Sequence, residues 1–139
     1  MIIIFDLDGT VICTKHRYRN LPDGTIDLDY WFANAVPEKI AQDTLLPLAS
    51  TMKHYYADNH YIVICTARTM SQADYDYVNK HLPYHVLLSR PKGDFSGDGE
   101  MKSDMLTKWA TSRNLPENWR ENAIMFDDNI KVIQRMIAD

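Results

Sequence analysis

A chain of 139 residues with a net charge of −4 and 45% apolar residues is long enough to bury a normal core without staples and is expected to fold as one domain over 1–139. The acidic balance supplies no global basic field of the sort that marks many nucleic-acid binders, which argues against duplex DNA but leaves room for a local basic patch. Cys13 and Cys65 are too few and too scattered for a disulfide framework or a zinc knuckle, so a reducing, cytoplasmic setting is expected, and no apolar run is long enough for a leader or a membrane span.

In chain order, the first element is Ile2–Phe5, a continuous apolar run that reads as a strand buried on both faces. It ends in Asp6-Leu7-Asp8-Gly9-Thr10, two acids on one side of the chain with glycine behind them. Cys13–Val36 is rich in turn signals and carries the basic run Lys15–Arg19; it is expected to be a flap or minimal cap insert (13–36), with Tyr30, Trp31 and Phe32 packed over the sheet edge. Leu45–Tyr56 has helical spacing, with Pro47 in the first turn and Asp43 or Thr44 as cap. Tyr61–Cys65 is the second buried strand and exits into Thr66-Ala67-Arg68. Ser71 with Asp74 forms a capping-box-like start to a helix that Pro83 stops. Val86–Leu88 is the third strand, exiting into Ser89-Arg90, and Pro91–Gly99 is an aperiodic loop. Met105, Leu106, Trp109 and Ala110 stripe a helix near Lys102. Ala123–Phe126 is the fourth strand, followed by Asp127-Asp128-Asn129 and a helix striped by Val132, Ile133, Met136 and Ile137 with Asn129 as cap. Strands alternating with helices predict a three-layer α/β, Rossmann-like sandwich around a short, mainly parallel sheet.

Strand exits of a parallel sheet share one edge, the edge at which open α/β sheets bind ligands. Asp6, Asp8, Asp127 and Asp128 therefore converge with the Thr66 hydroxyl and the Arg68 and Arg90 guanidinium groups. Crowded carboxylates repel unless a cation offsets them. Hard oxygen donors with no Cys or His pair nearby suit Mg²⁺. Thr10 and Thr66, with the main-chain N–H groups around them, are suited to phosphate oxygens. Arg68 also has a structural option in Asp74 or Asp76, and Arg90 as an ion-pair partner; Lys108 reads as a solvated lysine.

Asp6-Leu7-Asp8-Gly9-Thr10-Val11 after an apolar strand resembles the first motif of the haloacid dehalogenase-like phosphohydrolase superfamily. Ile62–Thr66, Lys102 and Ile124–Asp128 resemble the other three motifs, in order. The resemblance implies Asp6 as nucleophile and Asp8 as general acid and base. It implies Mg²⁺ held by Asp6, the Asp8 main-chain carbonyl, Asp127 and Asp128, with Thr66 and Lys102 on the transferring phosphoryl group. No full cap domain is expected. Thr66-Ala67-Arg68 and the stretch from Arg90 through Lys102-Ser103-Asp104 to Lys108 are further similar to the 3′-phosphatase domain of phage-type polynucleotide kinases. That likeness implies substrate contacts from Thr10, Ala67, Arg68, Arg90 and Arg17, and leaves Asp94 and Asp98 unassigned. The expected function is a Mg²⁺-dependent phosphomonoester hydrolase acting on a polynucleotide 3′-phosphate, with a nucleotidase and a non-catalytic binding module as alternatives. Because relatives commonly add a strand, an edge of the sheet is either bare or covered by a partner, such as a second copy of the chain.

Overall fold

The computed structural model describes residues 1–139. Four strands, β1 (Ile2–Phe5), β4 (Tyr61–Thr66), β5 (Val86–Ser89) and β6 (Ala123–Phe126), form one sheet in the order β5-β4-β1-β6, and every neighbouring pair is parallel. A second, two-stranded ribbon pairs β2 (Ile12–Cys13) antiparallel to β3 (Thr44–Leu45). The haloacid dehalogenase-like, Rossmann-type α/β architecture implied by the motifs is the one observed.

Alternation along the central strands builds the layers. Ile3 and Phe5 of β1 and Ile62 and Ile64 of β4 face α3 (Leu48–Ala57) and α4 (Gln72–His81), packing with Met52, Tyr77 and Val78. Ile4, Val63 and Cys65 face the other way, onto Leu106, Trp109 and Ala110 of α5 (Asp98–Ser112) and Trp119 of a 3₁₀ turn (Trp119–Asn122). Trp109 and Trp119 meet edge to face at 6.0 Å. α6 (Ile130–Ala138) packs along α5 on that same face. The chain winds outward from β1 through β4 to β5, then returns to β6 on the far side of β1. The order reverses at β1, so the crevice beyond its carboxyl end is the topological switch point.

Several expectations from sequence change here. Thr44 and Leu45 belong to the ribbon, and the helix begins at Leu48 with Pro47 at its N-cap. Asp43 does not cap it, because its carboxylate is taken by the buried Arg17 guanidinium. The 13–36 segment is not all loop: it carries a 3₁₀ turn (Lys15–Arg17) and α1 (Leu28–Asn34), capped by Asp27, with α2 (Pro37–Ile40) next. Tyr30, Trp31 and Phe32 do not enter the core: no residue of α1 is buried and Phe32 is 61% exposed. α4 does begin at the Ser71–Asp74 capping box, and Asn129 caps α6. No helix is long and apolar enough to cross a membrane.

Ile64 is fully buried in the core between the sheet and α3. Ile64→Ala is expected to cost about 2–5 kcal/mol, read as a lower urea midpoint at an unchanged slope.

Candidate active site

Asp6 leaves β1 with its N–H donated to the Phe126 carbonyl of β6 (2.9 Å), a bond that continues the sheet by one residue and brings the two strand exits together. Its carboxylate, on a residue only 6% exposed, accepts from Lys102 Nζ at 2.9 Å. The same ammonium donates to Asp127 Oδ2 at 2.6 Å, so one lysine of α5 bridges the acids of β1 and β6. Thr10 Oγ1 donates more loosely to Asp6 Oδ2 at 3.4 Å. Asp127 Oδ1 accepts the Asn129 N–H and is held by the turn into α6. One carboxylate oxygen each of Asp6, Asp127 and Asp128 lie within 4.8 Å of one another. Gly9, at φ 78°, makes room for the third: a Cβ there would collide with Asp128 Oδ2.

Burial pushes the Asp6 carboxyl up to about 8, with Lys102 opposing and the Asp127 and Asp8 charges adding to the shift. Burial works against the Lys102 charge, but Asp6 and Asp127 more than offset it and hold its pKa above the ordinary lysine range. With Asp6 ionised as well, three carboxylates against one ammonium would carry two negative charges in excess, the amount one divalent cation neutralises, so such an ion would draw Asp6 into its charged form. All the donors are hard oxygens, so the residues present fit a Mg²⁺-like ion. Cys65 behind them is pushed by burial up to about 12, making it a neutral wall and not a nucleophile.

Asp8 stands apart from this cluster. Its carboxylate meets the Arg68 fork, Nη2 to Oδ1 at 2.5 Å and Nε to Oδ2 at 3.2 Å. Arg68 Nη1 reaches Asp74 at 2.6 Å. Burial disfavours the Arg68 charge, yet Asp8, Asp74 and Asp43 together raise its pKa above the usual guanidinium value. Thr66, fully buried at the β4 exit, accepts the Arg68 N–H on its hydroxyl.

The arginines expected on substrate are otherwise engaged. Arg68 is only 6% exposed and held by the carboxylates of Asp8 and Asp74. Arg17 is fully buried, bidentate to Asp43 at 2.8 and 2.9 Å, and cannot reach a ligand outside. Arg90 ties down the loop after β5, donating to the carbonyls of Ala67, Asp94 and Ser96 and to the Asp98 carboxylate. Ala67 itself is half-buried, its carbonyl spent on that bond. Each guanidinium finds an internal acceptor because leaving one buried without partners costs more than the pairing. Lys108 is exposed, as expected. Asp43, read from sequence as a helix cap, is the residue missed; no local pattern signals a partner 26 positions away.

Raising the folded pKa of Asp6 from 3.8 to about 8 means the folded state holds the proton longer than the unfolded one. The stability this contributes is fully present below the unfolded value of 3.8 and is lost with rising pH, so without divalent cations this group is expected to lower the melting temperature from about pH 4 to about pH 8. Asp6→Asn should flatten the curve. Gly9→Ala is expected to cost about 1 kcal/mol or more through its positive φ and, by displacing Asp128, to weaken the stabilisation that magnesium gives in the same melting experiment.

The family model described as "Bacteriophage T5 5'-deoxynucleotidase" matches residues 1–87, a stretch that holds Asp6, Asp8, Asp43, Thr66 and Arg68. The 5'-deoxynucleotidase of Escherichia phage T5 is 43% identical over 83 residues, which cover 57% of this chain and 34% of that protein; the match thus spans about a third of its relative. Among solved structures, a chain of the Pnkp1/Rnl/Hen1 RNA repair complex superposes with a TM-score of 0.66 at 20% identity, over 96% of this chain and 37% of that one. The haloacid dehalogenase-like family protein SP0104 from Streptococcus pneumoniae gives a TM-score of 0.66 at 15% identity, over 99% of this chain and 80% of that one. Both likenesses carry the fold, and the sequence match over the first two strand exits carries the family: the chain belongs to the bacteriophage T5 5'-deoxynucleotidase family, on a haloacid dehalogenase-like fold.

Proposed function

We propose that the chain is a phosphomonoester hydrolase that works through an aspartyl-phosphate on Asp6 and takes a deoxynucleoside 5′-monophosphate as substrate. The observation that carries the reading is the meeting of Asp6, Asp127 and Asp128 around Lys102 at the switch point of the sheet. Asp6, Asp127, Asp128 and the Asp8 main-chain carbonyl would hold Mg²⁺, which supplies positive charge against the phosphate oxygens. Lys102, Thr66 and Ala67 bind the phosphoryl group from the α5 and β4 sides. The Asp6 carboxylate attacks phosphorus, the bond from phosphorus to the ester oxygen breaks, and Asp8, entering this step protonated, gives its proton to that oxygen. Asp8 then takes a proton from water as the water oxygen attacks phosphorus, which frees phosphate and restores Asp6. Thr10 orients Asp6 through its hydroxyl.

The family match favours the free nucleotide over the polynucleotide 3′-phosphate expected first from sequence, because the matched relative bears the name 5'-deoxynucleotidase. The likeness to the RNA repair complex stands at 20% identity and speaks to the fold alone.

Phosphate release from deoxynucleoside 5′-monophosphates, from their 3′ isomers and from a 3′-phosphorylated oligonucleotide, with magnesium present, tests both levels. Release from the 5′-nucleotides is expected, and Asp6→Asn should lower it at least about a thousandfold. Activity on the oligonucleotide alone would reverse the substrate assignment. Half-retained activity in Asp6→Asn would remove the covalent route, and an inert wild-type protein would leave a binding module.

A further inference from the structure

We propose that Asp43 is a positioning residue: by seating Arg17 and Arg68 side by side, it fixes the direction from which Asp8 meets the leaving oxygen. The inference rests on the hydrolase reading above. Asp43 has a fully buried side chain, and its two oxygens are spent on Arg17 Nε (2.8 Å) and Nη2 (2.9 Å). Its Oδ2 also lies 3.9 Å from Arg68 Nη2, the nitrogen that holds Asp8 Oδ1 at 2.5 Å. The Tyr77 hydroxyl pins the Asp43 main chain by donating to its carbonyl at 2.7 Å. His16 Nε2 stands 3.5 Å from Oδ1 at the outer end.

Arg68 is thus oriented from three sides, by Asp8, Asp74 and Asp43. A guanidinium is planar, so setting its plane sets the plane of any carboxylate it grips in a fork. Trp31 of the insert closes the network: the Arg17 and Arg68 guanidinium carbons lie 4.5 and 5.8 Å from its ring centroid. Arg17 Nη1, which has no hydrogen-bond partner, belongs to the guanidinium under that ring. Asp8, with a side chain 32% exposed, is the open end of a relay that is otherwise inside the protein. A carboxylate at a half-exposed turn samples several rotamers unless gripped, and proton transfer is sensitive to misplacement of about 1 Å.

The readout is the leaving group. A nucleoside alkoxide must be protonated as it departs, and p-nitrophenolate need not be. In Asp43→Asn, kcat/KM for a deoxynucleoside 5′-monophosphate is expected to fall about a hundredfold, the lower end of what general acid catalysis supplies. kcat/KM for p-nitrophenyl phosphate, which reads the steps through phosphoryl transfer to Asp6 and not the later attack of water, should change less than about threefold on the same basis. Asp43→Asn leaves Arg17 buried and unpaired, so the double variant Arg17→Gln with Asp43→Asn, which removes both charges, serves as the folded control. It must show the same split. Equal losses in kcat/KM on both substrates, or no loss on either, would overturn the positioning role and leave the hydrolase standing. Inactivity of the wild-type protein on both would take down the hydrolase reading with it.

Discussion

One ammonium group between two strand tips is the constraint on which the rest of the molecule turns. Lys102 reaches Asp6 and Asp127 at 2.9 and 2.6 Å, and those acids belong to neighbouring parallel strands whose exits would otherwise repel each other. The lysine comes from α5, a helix of the opposite layer, so its reach depends on Leu106, Trp109 and Ala110 packing that helix onto the sheet. Core packing and site charge are in this sense one device. The apolar face of α5 sets the height of the helix, and the height decides where Nζ arrives.

Around this centre lies a second set of charges, made of arginines. Arg17, Arg68 and Arg90 do not face outward for a ligand; each is consumed in holding a loop or an acid in place. Buried ion pairs of this kind are weak sources of stability, since desolvation offsets much of the attraction. What they do well is fix geometry, because a fork of donors tolerates little rotation. The charge layout therefore divides into an inner group with excess negative charge, suited to a cation and a phosphoryl group, and an outer frame that keeps Asp8 and the loop after β5 where they are.

The parts of this arrangement written locally in the sequence were legible. Ile2–Phe5 and Ala123–Phe126 appear as strands with the same limits in chain and structure, and their acidic exits need only a parallel sheet to meet. The Ser71–Asp74 box marks the start of α4 because both halves of the motif lie within one turn. What stayed hidden depends on partners far along the chain. Arg68 and Asp8 are 60 positions apart, and Arg17 and Asp43 are 26 apart; a lone arginine near a site looks the same whether it waits for phosphate or grips a distant acid. α1 gives no helical signal in the sequence because its flanks are dense in turn residues and its aromatic face finds a guanidinium in place of a core.

The central claim is that the carboxylate which Lys102 and the β6 acids surround becomes the covalent carrier of phosphate. Rapid acid quench of the enzyme during turnover, followed by peptide mass spectrometry, tests it most directly. A phosphoryl group found transiently on the peptide carrying Asp6, and on that residue, is the result expected. Hydrolysis proceeding with no phosphorylated peptide, or with the group on a different residue, would contradict it.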